Sequence, residues 1–192
     1  MSLIRAFIAL EIPPVLQNII AQHSAILQKE APHIVRWVAP VNIHLTLKFL
    51  GETSAASLQE LVHALAAVTA QQPPFSISVG GFGVFPNPKR PRVLWIGIQA
   101  PPELGHLSHA IETACARLGY PAEEKPFNPH LTLGRVREDA DQTRLRPALQ
   151  NYQIGQLGAI NVESVTLFRS DLRPQGPSYT ALAHIPLAKL DP

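Results

Sequence analysis

Pro40-Val41-Asn42-Ile43-His44-Leu45-Thr46-Leu47 and Pro126-Phe127-Asn128-Pro129-His130-Leu131-Thr132-Leu133 agree in register at Pro, Asn, His, Leu, Thr and Leu. In an extended strand alternate side chains share a face, so His44 and Thr46 point one way and Leu45 and Leu47 the other. The second copy repeats the arrangement with His130, Thr132, Leu131 and Leu133. One such strand is weak evidence, because a lone histidine on a half-solvated face is usually structural. Two in register, with matching proline and asparagine ahead of them, are hard to credit to packing. Set side by side about a local two-fold, the strands would line one cleft with two imidazoles and two hydroxyls.

Around this pair the chain is punctuated by proline. There are 19 among 192 residues, against a usual share of roughly 5%, and they fall mostly between periodic segments. Residues 2–11 read as a strand. Pro13-Pro14 opens a helix to about Glu30, with Val15, Leu16, Ile19, Ile20, Ala25, Ile26 and Leu27 as its apolar stripe. Residues 34–38 and 43–50 look extended, and Ser54 or Ser57 can cap a helix that ends before Pro73-Pro74. Phe75–Val84 and Arg92–Gln99 alternate as a hairpin with a long basic connection. A third helix runs from Pro101-Pro102 to about Leu118, with Gly119 as its stop. After the second motif come a short helix near 141–150 and a hairpin of 160–170 with 178–187. Each half therefore reads as helix, loop, His-Thr strand, helix and long-looped hairpin, with internal repeat units at about 34–99 and 121–187 of a single domain. The expected class is α+β: two pseudo-symmetric lobes, two mainly antiparallel sheets flanking a central cleft, helices outside. The first strand and the final hairpin are expected to cross between lobes.

Composition narrows the partners less than the motifs do. Hydrophobic residues make up 46% and charged residues 16%, which fits a globular chain. The formal charge is only +2, too small to mark a nucleic-acid binder by bulk electrostatics, although Lys89-Arg90 with Arg92, and Arg135 with Arg137, are local basic clusters. The single cysteine, Cys115, excludes an internal disulfide framework and a cysteine-rich metal site. Leu3–Glu11 carries Arg5 within it and reads as a strand, not a signal peptide. No run reaches the length of a membrane span. Cytoplasm is the expected location.

In-line cleavage of a phosphodiester needs a base for the attacking oxygen and an acid for the departing one, and two histidines supply both near neutrality. The threonine beyond each histidine offers a hydroxyl to a phosphoryl oxygen. A zinc site is the rival reading. Each repeat provides one His beside Thr, a poor zinc ligand, and His106 and His109 have no carboxylate completing a familiar pattern. His23, His33, His63 and His184 also read as structural. Gly80-Gly81-Phe82-Gly83 lies within a hairpin strand and reads as a bulge, not a phosphate loop.

His44-Leu45-Thr46-Leu47 followed by Lys48-Phe49-Leu50-Gly51, and His130-Leu131-Thr132-Leu133 followed by Gly134-Arg135-Val136, resemble the two His-x-Thr-x motifs of the 2H phosphoesterase superfamily. Within it the chain is most similar to the RNA 2′,3′-cyclic phosphodiesterases, historically called 2′-5′ RNA ligases. Arg5-Ala6-Phe7-Ile8-Ala9-Leu10, Leu167-Phe168-Arg169-Ser170 and Gly176-Pro177-Ser178-Tyr179 extend the likeness over nearly the whole chain. The resemblance implies hydrolysis of RNA 2′,3′-cyclic phosphate ends to 2′-phosphomonoesters by a monomer, with no metal, no cofactor and no membrane partner, and with 2′-5′ ligation as a related activity. It implies His44 as acid, His130 as base, and Thr46, Thr132 and Arg135 as phosphate contacts; the motifs' own symmetry leaves the acid and base unassigned. Action on 2′-5′ oligonucleotides or other nucleotide-derived cyclic phosphates, or a non-catalytic RNA-end-binding role, are the alternatives.

Three residues pose questions. Arg135, five positions after His130, would face away in a regular strand, so Gly134 must permit a bulge or the strand must end. Lys48 falls on the histidine face by count, as a phosphate contact or a solvated lysine at a strand end. Phe7 is a candidate for base stacking, with core packing as the plainer reading.

Overall fold

A computed structural model describes residues 3–143, 145–150, 152–174 and 176–189. The chain runs β1 (Leu3–Glu11), α1 (Pro14–Glu30), β2 (Val35–Trp37), β3 (His44–Ser54), α2 (Leu58–Thr69), β4 (Phe75–Phe85), β5 (Val93–Gln99), α3 (Pro102–Arg117), β6 (His130–Val136), α4 (Leu145–Gln150), β7 (Gln156–Val162), β8 (Ser164–Arg173) and β9 (Gly176–Pro186). Prolines open α1 and α3, where the first-turn N–H has no partner to lose and φ is already set. Ser54 Oγ accepts from the Ser57 N–H and starts a single 3-10 turn that leads into α2. Gly119, at φ +87°, ends α3 in the left-handed region that favours glycine.

Every strand pair is antiparallel, and the strands form two sheets ordered β3-β1-β8-β9 and β2-β6-β5-β4-β7. Helices α2 and α3 cover the four-stranded sheet, while α1 lies against β7 with α4 beside it. The motif leucines do the anchoring that alternation assigned them: Leu45, Leu47, Leu131 and Leu133 are all buried in the core. No helix among the described residues is long and apolar enough to cross a membrane.

Two expectations change. The run 160–170 is not one strand: β7 pairs with β4 in one sheet, and β8 pairs with β1 and β9 in the other. The break at Glu163 shifts the phase of burial, because Ile160 and Val162 are buried and then Val165 and Leu167. The second change concerns pairing: the final hairpin crosses to the other motif's sheet as expected, and the early hairpin crosses as well. Motif strand β3 shares its sheet with the late hairpin β8–β9, and motif strand β6 shares its sheet with the early hairpin β4–β5. Each sheet thus combines the motif strand of one repeat unit with the hairpin of the other.

A bulge sets the facing of the residues beyond the first motif. Thr46 pairs with Ala9 but Lys48 pairs with Ile8, so Leu47 is the extra residue and the alternation slips by one. Lys48 is thereby turned inward. It is 2% exposed, neither on the histidine face nor solvated as its position in the sequence suggests. Its Nζ donates to Glu112 Oε1 of α3 at 2.6 Å and to the carbonyl of Pro121. Glu112 Oε1 also accepts from the Glu123 N–H at 2.9 Å. The buried ammonium therefore joins the first motif strand to α3 and to the segment leading toward the second motif. Cys115, one turn along α3, is pushed up to about 11 by burial; the Lys48 ammonium pulls it down and the Glu112 carboxylate raises it. Its thiol stays neutral.

Removing one partner of a buried ion pair leaves the other charge uncompensated, and Glu112 is itself partly exposed. Glu112→Ala should therefore destabilise the protein by about 3 kcal/mol, measured by urea unfolding. A midpoint unchanged from the parent protein would show that Lys48 finds full compensation elsewhere.

Candidate active site

The two histidines stand at the first positions of β3 and β6, strands that touch where the sheets meet. Each is held the same way. His44 Nδ1 lies 2.7 Å from the carbonyl oxygen of Asn42, and His130 Nδ1 lies 2.7 Å from that of Asn128. A carbonyl only accepts, so in both rings Nδ1 carries the proton and donates it. The titrating nitrogen is then Nε2 in both cases. The residue two before each histidine thus fixes tautomer and ring orientation through its backbone. Asn42 adds a side-chain bond, its Nδ2 donating to the carbonyl of Pro177 at 2.7 Å. That contact joins the approach to one edge strand to the other edge strand of the same sheet, which requires the sheet to curl.

The surroundings of the two rings differ. His44 sits among Phe7 at 4.7 Å, Tyr179 at 5.2 Å edge-on and Phe168 at 6.3 Å between ring centroids. Burial among these rings lowers the His44 pKa below its ordinary 6.5, partly opposed by the bond to Asn42. His130 meets Phe85 edge-on at 5.1 Å and Trp95 at 6.3 Å. Trp95 lies flat over Gly83, where a Cβ would fall 2.1 Å from the indole. That glycine sets the depth of the indole on the sheet.

The second motif strand carries the same slip as the first. Thr132 pairs with Trp95 and Gly134 with Leu94, so Leu133 is the extra residue. Arg135 returns to the face of His130 and Thr132, and it is exposed there. Gly134 turns toward β2 in close quarters; a Cβ would lie 2.5 Å from Val35 Cγ1. Thr46 and Thr132 are half-buried, two residues beyond their histidines. Tyr179 connects the two sides: its ring packs on His44, while the Arg135 guanidinium pulls its phenol pKa down against the larger upward push of burial. The phenol therefore remains a protonated donor between the first histidine and the arginine of the second strand.

His44 and Thr46 share one face of β3, and His130, Thr132 and Arg135 share one face of β6, two strands in contact with each other. Phe7 is 3% exposed, stacked on Phe168 at 5.2 Å, so it is packing under His44 and not a platform for a base. His23 is structural: its Nδ1 donates to Tyr152 Oη at 2.9 Å, and that hydroxyl donates to the His23 carbonyl at 3.1 Å. His184 meets Glu11 Oε2 at 3.1 Å on the exposed surface. Among the described residues no three His, Cys, Asp or Glu side chains converge on a common point. Tyr179, Trp95 and Phe85 are additions that the motifs do not announce. Tyr179 lies within the family-like Gly176–Tyr179 stretch; nothing short of strand pairing brings Phe85 and Trp95 to His130.

Comparison with known proteins places this geometry in a family. The model of the 2′-5′ RNA ligase superfamily matches residues 12–173. A protein of Methanothermobacter thermautotrophicus named RNA 2′,3′-cyclic phosphodiesterase is 33% identical over 92% of this chain and 95% of its own. One of the same name from Archaeoglobus fulgidus is 38% identical over 77% of this chain and 81% of its own. Among solved structures, TT0787 of Thermus thermophilus superposes with a TM-score of 0.80 at 28% identity, covering 95% and 97% of the two chains. E. coli LigT complexed with 3′-AMP gives 0.76 at 29% identity over 98% and 100%. With two His-Thr strands in the matched region and relatives alike over nearly their full lengths, the chain belongs to the 2′-5′ RNA ligase superfamily.

Proposed function

We propose that the protein hydrolyses the 2′,3′-cyclic phosphate at an RNA 3′ end to a 2′-phosphomonoester, by acid–base catalysis between two histidines and without a metal. The observation that carries this reading is the matched pair of Nδ1–carbonyl bonds at 2.7 Å, which leave two Nε2 atoms for proton transfer on two strands in contact. The names of the relatives supply the substrate class. In this reading His130 Nε2 takes a proton from water as its oxygen bonds to phosphorus. The bond from phosphorus to O3′ breaks, and His44 Nε2–H protonates the departing oxygen. Water ends as the new P–O–H, ionised in solution, and the ribose regains its 3′ hydroxyl. Thr46, Thr132 and Arg135 hold the non-bridging oxygens as charge grows on them.

The lowered His44 pKa bears on its role as acid. In the free protein the neutral ring is favoured, and a bound phosphate anion in a half-buried site favours the imidazolium. Substrate would thus charge the acid that it needs. By NMR, His44 should titrate below 6.5 in the free protein and higher once a nucleoside 2′-phosphate is bound. A ring whose midpoint ignores the ligand would remove His44 from the acid role.

His44→Ala and His130→Ala should each lower kcat/KM on a 2′,3′-cyclic-phosphate RNA by about 10²- to 10⁴-fold, with the far-ultraviolet spectrum unchanged. Chelator should leave the rate alone and the product should be the 2′-phosphate; full activity in either variant contradicts the proposal. Arg135→Ala should cost about tenfold to a hundredfold in kcat/KM and raise the Tyr179 phenol pKa in a spectrophotometric titration, since the one cation that lowers it is gone. A Tyr179 titration that does not move would separate the two residues.

A further inference from the structure

Two adjoining cavities, each of about 400 Å³, lie beyond Arg135 and share Val136, Arg137 and Glu138 as their common wall. The nearer is lined by Arg135 and its cross-strand partner Arg36, and the farther by Arg90, Arg92 and Arg146. Six of the chain's eleven arginines therefore border one surface, together with three carboxylates, Glu138, Asp139 and Asp141. Their formal charge is +3, whereas the whole chain carries only +2, so the rest of the molecule is slightly acidic. The positive charge is concentrated at one end of the five-stranded sheet.

The backbone beneath these arginines is pinned. The Val136 N–H donates to the Arg92 carbonyl at 2.9 Å, the Arg137 N–H to that of Ile34 at 2.9 Å, and the Arg92 N–H to that of Phe85 at 2.7 Å. Asn87 Oδ1 accepts from the N–H groups of Lys89 and Arg90 at 3.0 and 3.1 Å, which folds the connection between β4 and β5. All six guanidinium side chains belong to exposed residues. Arg92 approaches Glu138 at 3.8 Å with both heavily exposed, a contact worth little in water.

We propose that this arginine surface is a second binding site, which holds the phosphodiester backbone of the nucleotides preceding the reacting RNA end. The proposal rests on the function argued above. A 2′,3′-cyclic phosphate occupies both terminal ribose oxygens, so the polymer continues only through the 5′ oxygen and leaves the cleft in one direction. Strand β6 runs from His130 to the arginine end at about 3.3 Å per residue, placing Arg137 about 20 Å from the histidine. That length accommodates several nucleotides. Arginine forks suit phosphate oxygens, and contacts of this kind position a strand without reading its bases.

The test compares a 2′,3′-cyclic mononucleotide with a hexanucleotide ending in the same cyclic nucleotide, for the parent protein and for Arg90→Ala, Arg137→Ala and Arg146→Ala combined. The variant should lose at least tenfold in kcat/KM on the hexamer and stay within twofold on the mononucleotide, which also reports that the fold is intact. Losing three phosphate contacts should reduce the slope of log affinity against log salt by about 2. Anisotropy of a labelled hexanucleotide without the cyclic end measures the surface independently of any chemistry. Weaker binding by the variant supports the site even if the parent protein hydrolyses neither substrate, a result that would sink the catalytic reading alone. Equal loss on both substrates, hexamer binding unaltered by the three changes, or equal displacement of the hexamer by polyglutamate would overturn the proposal.

Discussion

The extra residue just after each motif threonine governs the facing of the residues that follow it. A strand alternates its faces strictly, so a bulge exchanges inside for outside for the residues beyond it, as far as the next irregularity. The slip at Leu47 buries Lys48 and turns Phe49 outward; the slip at Leu133 buries Gly134 and turns Arg135 outward. Without these two slips the lysine would stand beside the histidine it follows, and the arginine would point into the core. The same irregularity serves two different ends, an internal tie in one strand and an exposed cation in the other.

Near-symmetry of backbone thus coexists with asymmetry of environment. Both imidazoles are oriented by the carbonyl two residues earlier, a lock that depends only on chain path. What surrounds them is not shared. Phe7, Phe168 and Tyr179 crowd His44 and disfavour its charged form, whereas Phe85 and Trp95 stand by His130. One peptide pattern is in this way set in two different surroundings, and at His44 the surroundings lower the proton affinity.

The shared face of each histidine and its threonine is legible in the sequence because period-two alternation is local and needs no knowledge of partners. The proline-opened helices are legible for the same reason. The division between β7 and β8 is harder, since hydrophobic residues continue through 160–170 and only the phase of burial changes around Glu163. Lys48 escapes a count along the chain because a bulge is visible only against the opposing strand, here Ile8 and Ala9 of β1. For Arg135 the count from His130 demands an irregularity, and Gly134 supplies a residue able to sit against Val35. The aromatic residues around the two rings come from segments far away in the chain. Their grouping is a product of pairing order, which no short window contains.

That pairing order also sets when the molecule can become complete. Strand β1, emerging first, has β3 on one side but needs β8 on the other, and the Glu11 carboxylate accepts from Thr166 Oγ1 at 3.0 Å across the same pair. Strand β1 must therefore wait, half-paired, until β8 has been made. Contacts of such sequence separation slow folding and leave a hydrophobic edge open meanwhile. The crossed strands make the first motif's sheet depend on a hairpin that lies beyond the second motif in the chain.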